Sequence, residues 1–274
     1  MNSFSINISD NDTANFLKDY LNDTLKDNFS VSLDMDGENF IINVLFLNND
    51  KKVIDNFVYY FSNFIIDNYE KNIVDFIFDD EYFYFSENDR KYIYNIYLEF
   101  KNLSFENECL SCVEKNLKFY LYNKRCIDLD GFIYFGIYSY TKKIKSKLSE
   151  SINSFVVEKE YEKFINLLKN YIESSDSKMY RIHLIYLNSN ASLLDDNGNE
   201  IKLESISDNV ILSDFDFSKN DYVLNTLITL SPRQIVLHLL SPEDNFIDAV
   251  MQIFTNRVKI CKNCKYCKKF HDDI

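Results

Sequence analysis

Along this chain the spacing of hydrophobic positions runs from strand to helix and back to a mixture. Phe4, Ile6 and Ile8 alternate with polar neighbours, the period of a half-buried strand. Ser9 or Asp10 can cap a following helix whose apolar face is Phe16, Leu17, Tyr20, Leu21 and Leu25. Phe29, Val31, Leu33 and Met35 alternate again, Asp36-Gly37 supplies a tight turn, and Phe40, Ile42 and Val44 return as the partner strand. Residues 1–50 therefore predict a β-α-β-β unit.

From 51 to 177 the period lengthens to that of helices. Val53, Phe57, Tyr60, Phe61 and Phe64 fall at helical spacing. Tyr82 to Phe85 reads as a short extended stretch, and Ser86-x-x-Asp89 as a capping box with a shortened acid. Further helices follow from Ile93, Ile96, Tyr97 and Phe100, and from Phe105, Cys109, Cys112, Val113 and Tyr120. Ile133, Ile137, Tyr140, Ile144, Leu148 and Ile152 make one long stripe; Val157, Tyr161, Phe164, Ile165, Leu168 and Ile172 make another. Stripes of this regularity predict a helical bundle in which each helix buries one face.

Residues 178–261 return to a mixed α/β pattern. Tyr180 to Leu187 is strand-like, and Asp196-Asn197-Gly198-Asn199 is a hairpin turn between Ser192–Leu194 and Ile201–Leu203. A helix over Tyr222–Leu230 stops at Ser231-Pro232, and Gln234–Leu239 is an apolar strand. Ser241-Pro242-Glu243-Asp244 opens another helix with Ser241 as its cap. Val258–Ile260 makes a last short strand before a basic, cysteine-rich tail, 262–274. The predicted class is α+β: an N-terminal β-α-β-β unit, a central helical bundle, and a C-terminal mixed α/β region ending in that tail.

Composition narrows the chemistry. Hydrophobic residues make up 46% and charged residues 27% of the 274, which suits a soluble globular chain and not a disordered one. The 4 Gly stand apart at 37, 131, 136 and 198, so no glycine-rich phosphate loop or dinucleotide fingerprint exists. The 3 His are also far apart, and there is no Gly-x-Ser-x-Gly nucleophile elbow. No catalytic constellation is recognisable, and no catalytic or cofactor-binding residue is assigned.

A net charge of -13 sets the surface against nucleic acid and anionic membranes. The exception is the stretch with Arg257, Lys259, Lys262, Lys265, Lys268 and Lys269, whose aromatic content is only Tyr266 and Phe270; this is too small a surface to predict nucleic-acid binding. Met-Asn-Ser-Phe-Ser lacks the basic and apolar regions of a secretory signal, and no apolar run is long enough for a bilayer. A cytoplasmic location is expected, where the 6 cysteines stay reduced or bind metal.

Cys261-x-x-Cys264-x-x-Cys267-x-x-x-His271 is the sharpest candidate. Three thiolates and an imidazole can make a Cys₃His zinc site. Three cysteines with a fourth ligand from elsewhere can instead hold an iron–sulfur cluster. The interleaved lysines favour thiolates. The rival reading is a packed or flexible thiol-bearing ending. Cys109 and Cys112 could add a second knuckle, but they share a helix face with Phe105 and Val113 and read better as core, as does Cys126. His183 and His238 each sit in a predicted strand and meet if those strands are neighbours; Arg181 and Arg233 nearby would then suggest an anion site. Glu158, Glu160 and Glu162 alternate with Lys159 and Lys163 and read as a solvated helix face.

One stretch resembles a known family. Ile127-Asp-Leu-Asp-Gly-Phe-Ile-Tyr-Phe135, then Tyr140, then Val157-Glu-Lys-Glu-Tyr-Glu-Lys-Phe-Ile-Asn-Leu-Leu168, looks like the YtxC family of sporulation proteins from spore-forming Firmicutes. Leu227-Ile-Thr-Leu-Ser-Pro-Arg-Gln-Ile-Val-Leu-His238 and Phe254-Thr-Asn-Arg-Val-Lys-Ile-Cys261 extend the resemblance. Gly136 and Ile137 stand where family members carry an Arg and a Leu. The resemblance implies a setting, sporulation, rather than a reaction. The expectation is a cytosolic sporulation-associated protein acting through a protein partner, with metal binding or redox response by the terminal cysteines as the alternative.

Overall fold

The computed structural model describes residues 3–25, 29–37, 39–48, 50–201, 218–262 and 264–271, the side chains of 269–271 excepted. The chain divides into two compact units, Met1–Val157 and Glu158–Ile274.

The first unit opens with strand β1 (Ser3–Ile8), helix α1 (Asn11–Leu25), β2 (Phe29–Asp36) and β3 (Asn39–Phe46). Of the two candidate caps for α1, Asp10 takes the role: its carboxylate accepts the N–H of Thr13 at 2.7 Å. The alternation works as expected, with Phe4, Ile6, Ile8, Ile42, Val44 and Phe46 buried. Their core is shared with α2 (Lys51–Glu81), α3 (Glu87–Phe100) and α4 (Leu103–Asn123), so strands and bundle are built around one cluster. Tyr82–Phe85 is not extended. It is a turn between α2 and α3, because the Ser86–Asp89 capping box starts a new helix immediately after it.

A strand absent from the sequence reading follows: β4 (Cys126–Asp128) pairs parallel to β1 and completes the order β2-β3-β1-β4. Three residues are too few to display a period of two, so local pattern does not mark this strand. The family-like segment then makes one helical turn, α5 (Leu129–Gly131), and a π-helical turn at Phe132–Gly136. The two long stripes beyond it are one helix, α6 (Tyr138–Ser174), since nothing between them breaks the backbone.

The second unit places strands β5 (Arg181–Leu187), β6 (Asn190–Leu194), β7 (Gln234–Leu239) and β8 (Val258–Ile260) in a separate sheet, order β6-β5-β7-β8. Helix α7 (Lys219–Leu230) links β6 to β7, and α8 (Asn245–Ile253) links β7 to β8. Both connections join parallel neighbours or lead to them, as crossover helices do. Ile182, Leu184, Tyr186, Ile235 and Leu237 form a core with Leu227, Ile247 and Val250 from these helices and Ile165 and Ile172 from the end of α6. Asp244, not Ser241, caps α8, accepting the N–H groups of Phe246 and Ile247. Pro242 stands too far back to be the first helical residue.

The Asp196–Asn199 turn is where the sequence put it, closed by Asp195 N–H to Asn199 carbonyl at 2.9 Å. Its expected return strand is reduced to a bridge between Glu200 and Leu194 and a hydrogen bond from Ile201 N–H to the Leu193 carbonyl at 2.9 Å; residues 202 and 203 lie outside the described residues. Among the described residues no helix is long and apolar enough to cross a membrane.

Candidate metal centre

Strands β5 and β7 run parallel, with His183 opposite Val236 and Ile185 opposite His238. Alternation then puts His183 and His238 on one face, as diagonal neighbours, opposite the face that carries Leu184 and Leu237. The cysteine-rich segment lies against the histidine face. Cys261 extends β8, its N–H donating to the Leu237 carbonyl at 2.8 Å. Cys264 precedes α9 (Lys265–His271), whose Lys268 N–H donates to the Cys264 carbonyl at 3.1 Å. Cys267 sits one turn into that helix and is buried.

Four donor atoms therefore converge: His238 Nδ1 and the Sγ atoms of Cys261, Cys264 and Cys267, all within 4.8 Å of one another. His238 Nδ1 is 3.2 Å from Cys267 Sγ and 3.6 Å from Cys264 Sγ. Cys267 Sγ is 3.9 Å from Cys264 Sγ and 3.7 Å from Cys261 Sγ. A tetrahedral zinc ion, with bonds of about 2.3 Å to sulfur and about 2.0 Å to nitrogen, requires S···S edges of about 3.8 Å and S···N edges of about 3.6 Å. The two S···S separations and the His238–Cys264 separation lie close to those edges, and His238–Cys267 is shorter. An iron–sulfur cluster fills the space between its ligands with several irons and sulfides and spreads them wider than one ion does.

The electrostatics suit the same donor set. Burial, reinforced by neighbouring His183, pushes His238 down to about 4, so its imidazole is neutral and has a lone pair to give. Burial lowers His183 too, opposed by the Asp196 carboxylate. For Cys264 burial acts upward, but hydrogen bonds from the backbone of Cys267 and Tyr266 and from the Cys261 and Cys267 thiols outweigh it, and the thiol lies below its ordinary range. Exposed Lys262, Lys265 and Lys268 surround the segment and offset the charge that three thiolates bring.

Cys261, Cys264 and Cys267 are thus brought together, while the His271 side chain lies outside the described residues. The imidazole in the cluster belongs to His238, for which the sequence suggests only His183, with Arg181 and Arg233 nearby. The signal was present: a histidine in an otherwise apolar strand needs a polar partner. What concealed its role is that the cysteines come more than twenty residues later. Arg181 Nε donates to Gln234 Oε1 at 3.0 Å, and its guanidinium lies 3.6 Å from Asp196 Oδ1. Arg257, counted with the basic patch, instead donates to the carbonyls of Ile172, Ser231 and Pro232 and ties the ends of α6 and α7 to the start of β8. In the first unit Cys109 is buried and its thiol pushed up to about 12 by burial, the behaviour of a core residue.

Residues 55–259 match the YtxC-like family. The chain is also similar to the uncharacterized protein YtxC of Bacillus subtilis (strain 168), 22% identical over 130 residues, which is 47% of this chain and 46% of that protein. The chain thus spans about half the length of that curated relative. No solved structure matches the chain. The matched stretch includes His183, Asp196 and His238 and stops just before Cys261. Because the family match covers well over half of the residues, from the first bundle helix to β8, the chain belongs to the YtxC-like family.

Proposed function

We propose that the second unit is a zinc-binding module in which His238, Cys261, Cys264 and Cys267 hold one ion. The observation that carries this reading is the convergence of four donors within 4.8 Å of one another, with S···S separations of 3.9 and 3.7 Å close to those of a single tetrahedral ion. All four positions are filled by protein, which suits a structural rather than a catalytic ion. The ion would fasten the segment after β8 to β7, which no disulfide does among the described residues. Elemental analysis of protein purified anaerobically and reconstituted with zinc tests it. About one zinc per chain is expected, with tight binding lost in Cys267→Ser; a wild-type content far below one ends the proposal.

A second reading, a protein partner in a sporulating cell, draws support from the family-like segment. Its Tyr134, Phe135 and Tyr138 are exposed, Phe135 to 85%, an unusual use of large aromatics on a surface. A pull-down from sporulating cells should recover a specific protein with the wild-type chain and lose it with Phe135→Ser. Equal recovery by both chains would rule this segment out as the contact.

A further inference from the structure

We propose that His183, hydrogen-bonded to His238 and facing the Asp196 carboxylate, is a positioning residue behind the metal centre that fixes which nitrogen of His238 meets the ion. The inference rests on the zinc reading and deepens it.

His238 presents its two nitrogens to different neighbours. Nδ1 faces the sulfurs, 3.2 Å from Cys267 and 3.6 Å from Cys264. Nε2 lies 2.9 Å from His183 Nδ1. A neutral imidazole has one N–H and one lone pair, and an ion takes the lone pair. Bound through Nδ1, His238 must carry its proton on Nε2. That N–H has one partner in line, His183 Nδ1, which must accept. His183 then carries its own proton on Nε2, the nitrogen that lies 3.7 Å from Asp196 Oδ1. Each tautomer is dictated by the one before it, and the series ends on a carboxylate. Metal-bound imidazoles commonly give their second N–H to such a partner, which fixes ring orientation and raises ligand basicity.

The surroundings hold this series in place. The His183 and His238 rings stack with centroids 5.2 Å apart. Tyr266, between two of the cysteine ligands in sequence, lies 4.9 Å from His183 and 5.9 Å from His238, ring to ring. Its hydroxyl in turn approaches Gly198, where a Cβ would stand 3.1 Å away. Gly198 has φ +85° and belongs to the same turn as Asp196. Asp195 shapes that turn by accepting the N–H groups of Asn197 at 2.9 Å and Asn199 at 2.8 Å. The turn that carries Asp196 is therefore packed on the segment that carries the ligands.

The test uses the full chain as wild type, His183→Leu, His183→Gln and Asp196→Asn. Zinc affinity is measured by competition with a chromophoric chelator, and the imidazole nitrogens are assigned by ¹⁵N NMR of the zinc-loaded protein. His183→Leu should still bind one zinc, with affinity weaker by about 10- to 100-fold. His183→Gln, whose amide oxygen can accept the His238 N–H, should recover most of the loss, and Asp196→Asn should fall between. In the wild type, His238 should be metal-bound at Nδ1 and protonated at Nε2, with that proton slow to exchange. Unchanged affinity in His183→Leu, or a wild-type His238 bound through Nε2, overturns the positioning role and leaves the zinc site standing. A wild-type chain that takes up no zinc overturns both. The wild-type nitrogen assignment decides the matter even where a variant fails to fold.

Discussion

Among the described residues each unit holds a buried polar cluster, and the two are built on opposite principles. In the first unit Glu70 of α2 is nearly buried, yet its carboxylate meets Lys101 Nζ at 2.8 Å and the Tyr140 hydroxyl at 3.0 Å. Donors answer an acceptor and charge answers charge; the Tyr140 and Tyr97 phenols beside it are pushed upward by burial and by the Glu70 charge, which keeps them protonated. In the second unit three thiols and an imidazole face one another, and S–H is a weak donor. In the first cluster the Glu70 carboxylate is answered by a lysine and a phenol and only the neighbouring Tyr97 hydroxyl lacks a partner among the described residues, whereas the second is a set of soft ligands whose mutual hydrogen bonds are poor. A buried polar cluster therefore points to a ligand only when its members do not satisfy each other.

The largest effect expected from this contrast is on removal of metal. With free zinc at about 1,000 times its dissociation constant, the ion stabilises the unit that binds it by about 4 kcal/mol. Hydrogen exchange before and after chelation should show amides of β7, β8 and α9 losing protection while those of β1, β2 and β3 keep theirs. Loss in the first sheet, or none in the second, would break the comparison. A smaller effect is expected in the other cluster. Glu70→Ala leaves Lys101 without its carboxylate in a mostly buried place and should cost about 3 kcal/mol in urea unfolding. Zinc stoichiometry should not change in that variant, and a change would break the comparison.

Much of the fold was legible in the chain because its elements are long or sharply punctuated. The alternation at Phe4, Ile6 and Ile8, the Ser86 capping box, the turn at Asp196–Asn199 and the strand Gln234–Leu239 are all where local pattern places them. The features that escaped are short or depend on distant partners. β4 exists because β1 offers it a free edge. The β5–β6 turn uses Asn188 and Ser189, both with positive φ, at 49° and 60°, and so lacks the glycine that usually marks such a turn. Tyr161 and Phe164 continue an apolar stripe on α6, yet both are exposed, since a stripe records periodicity and not what covers it.

By itself the sequence determined the class of the fold and the three thiols of the site, because helical and strand periods are local and so is the spacing of Cys261, Cys264 and Cys267. Tertiary structure decided the imidazole. His183 and His238 share a face only because β5 and β7 pair in parallel, and His238 meets the cysteines only because β8 continues that sheet next to β7. Strand order and register depend on which edges the folded chain leaves open, a property that no stretch of sequence carries alone.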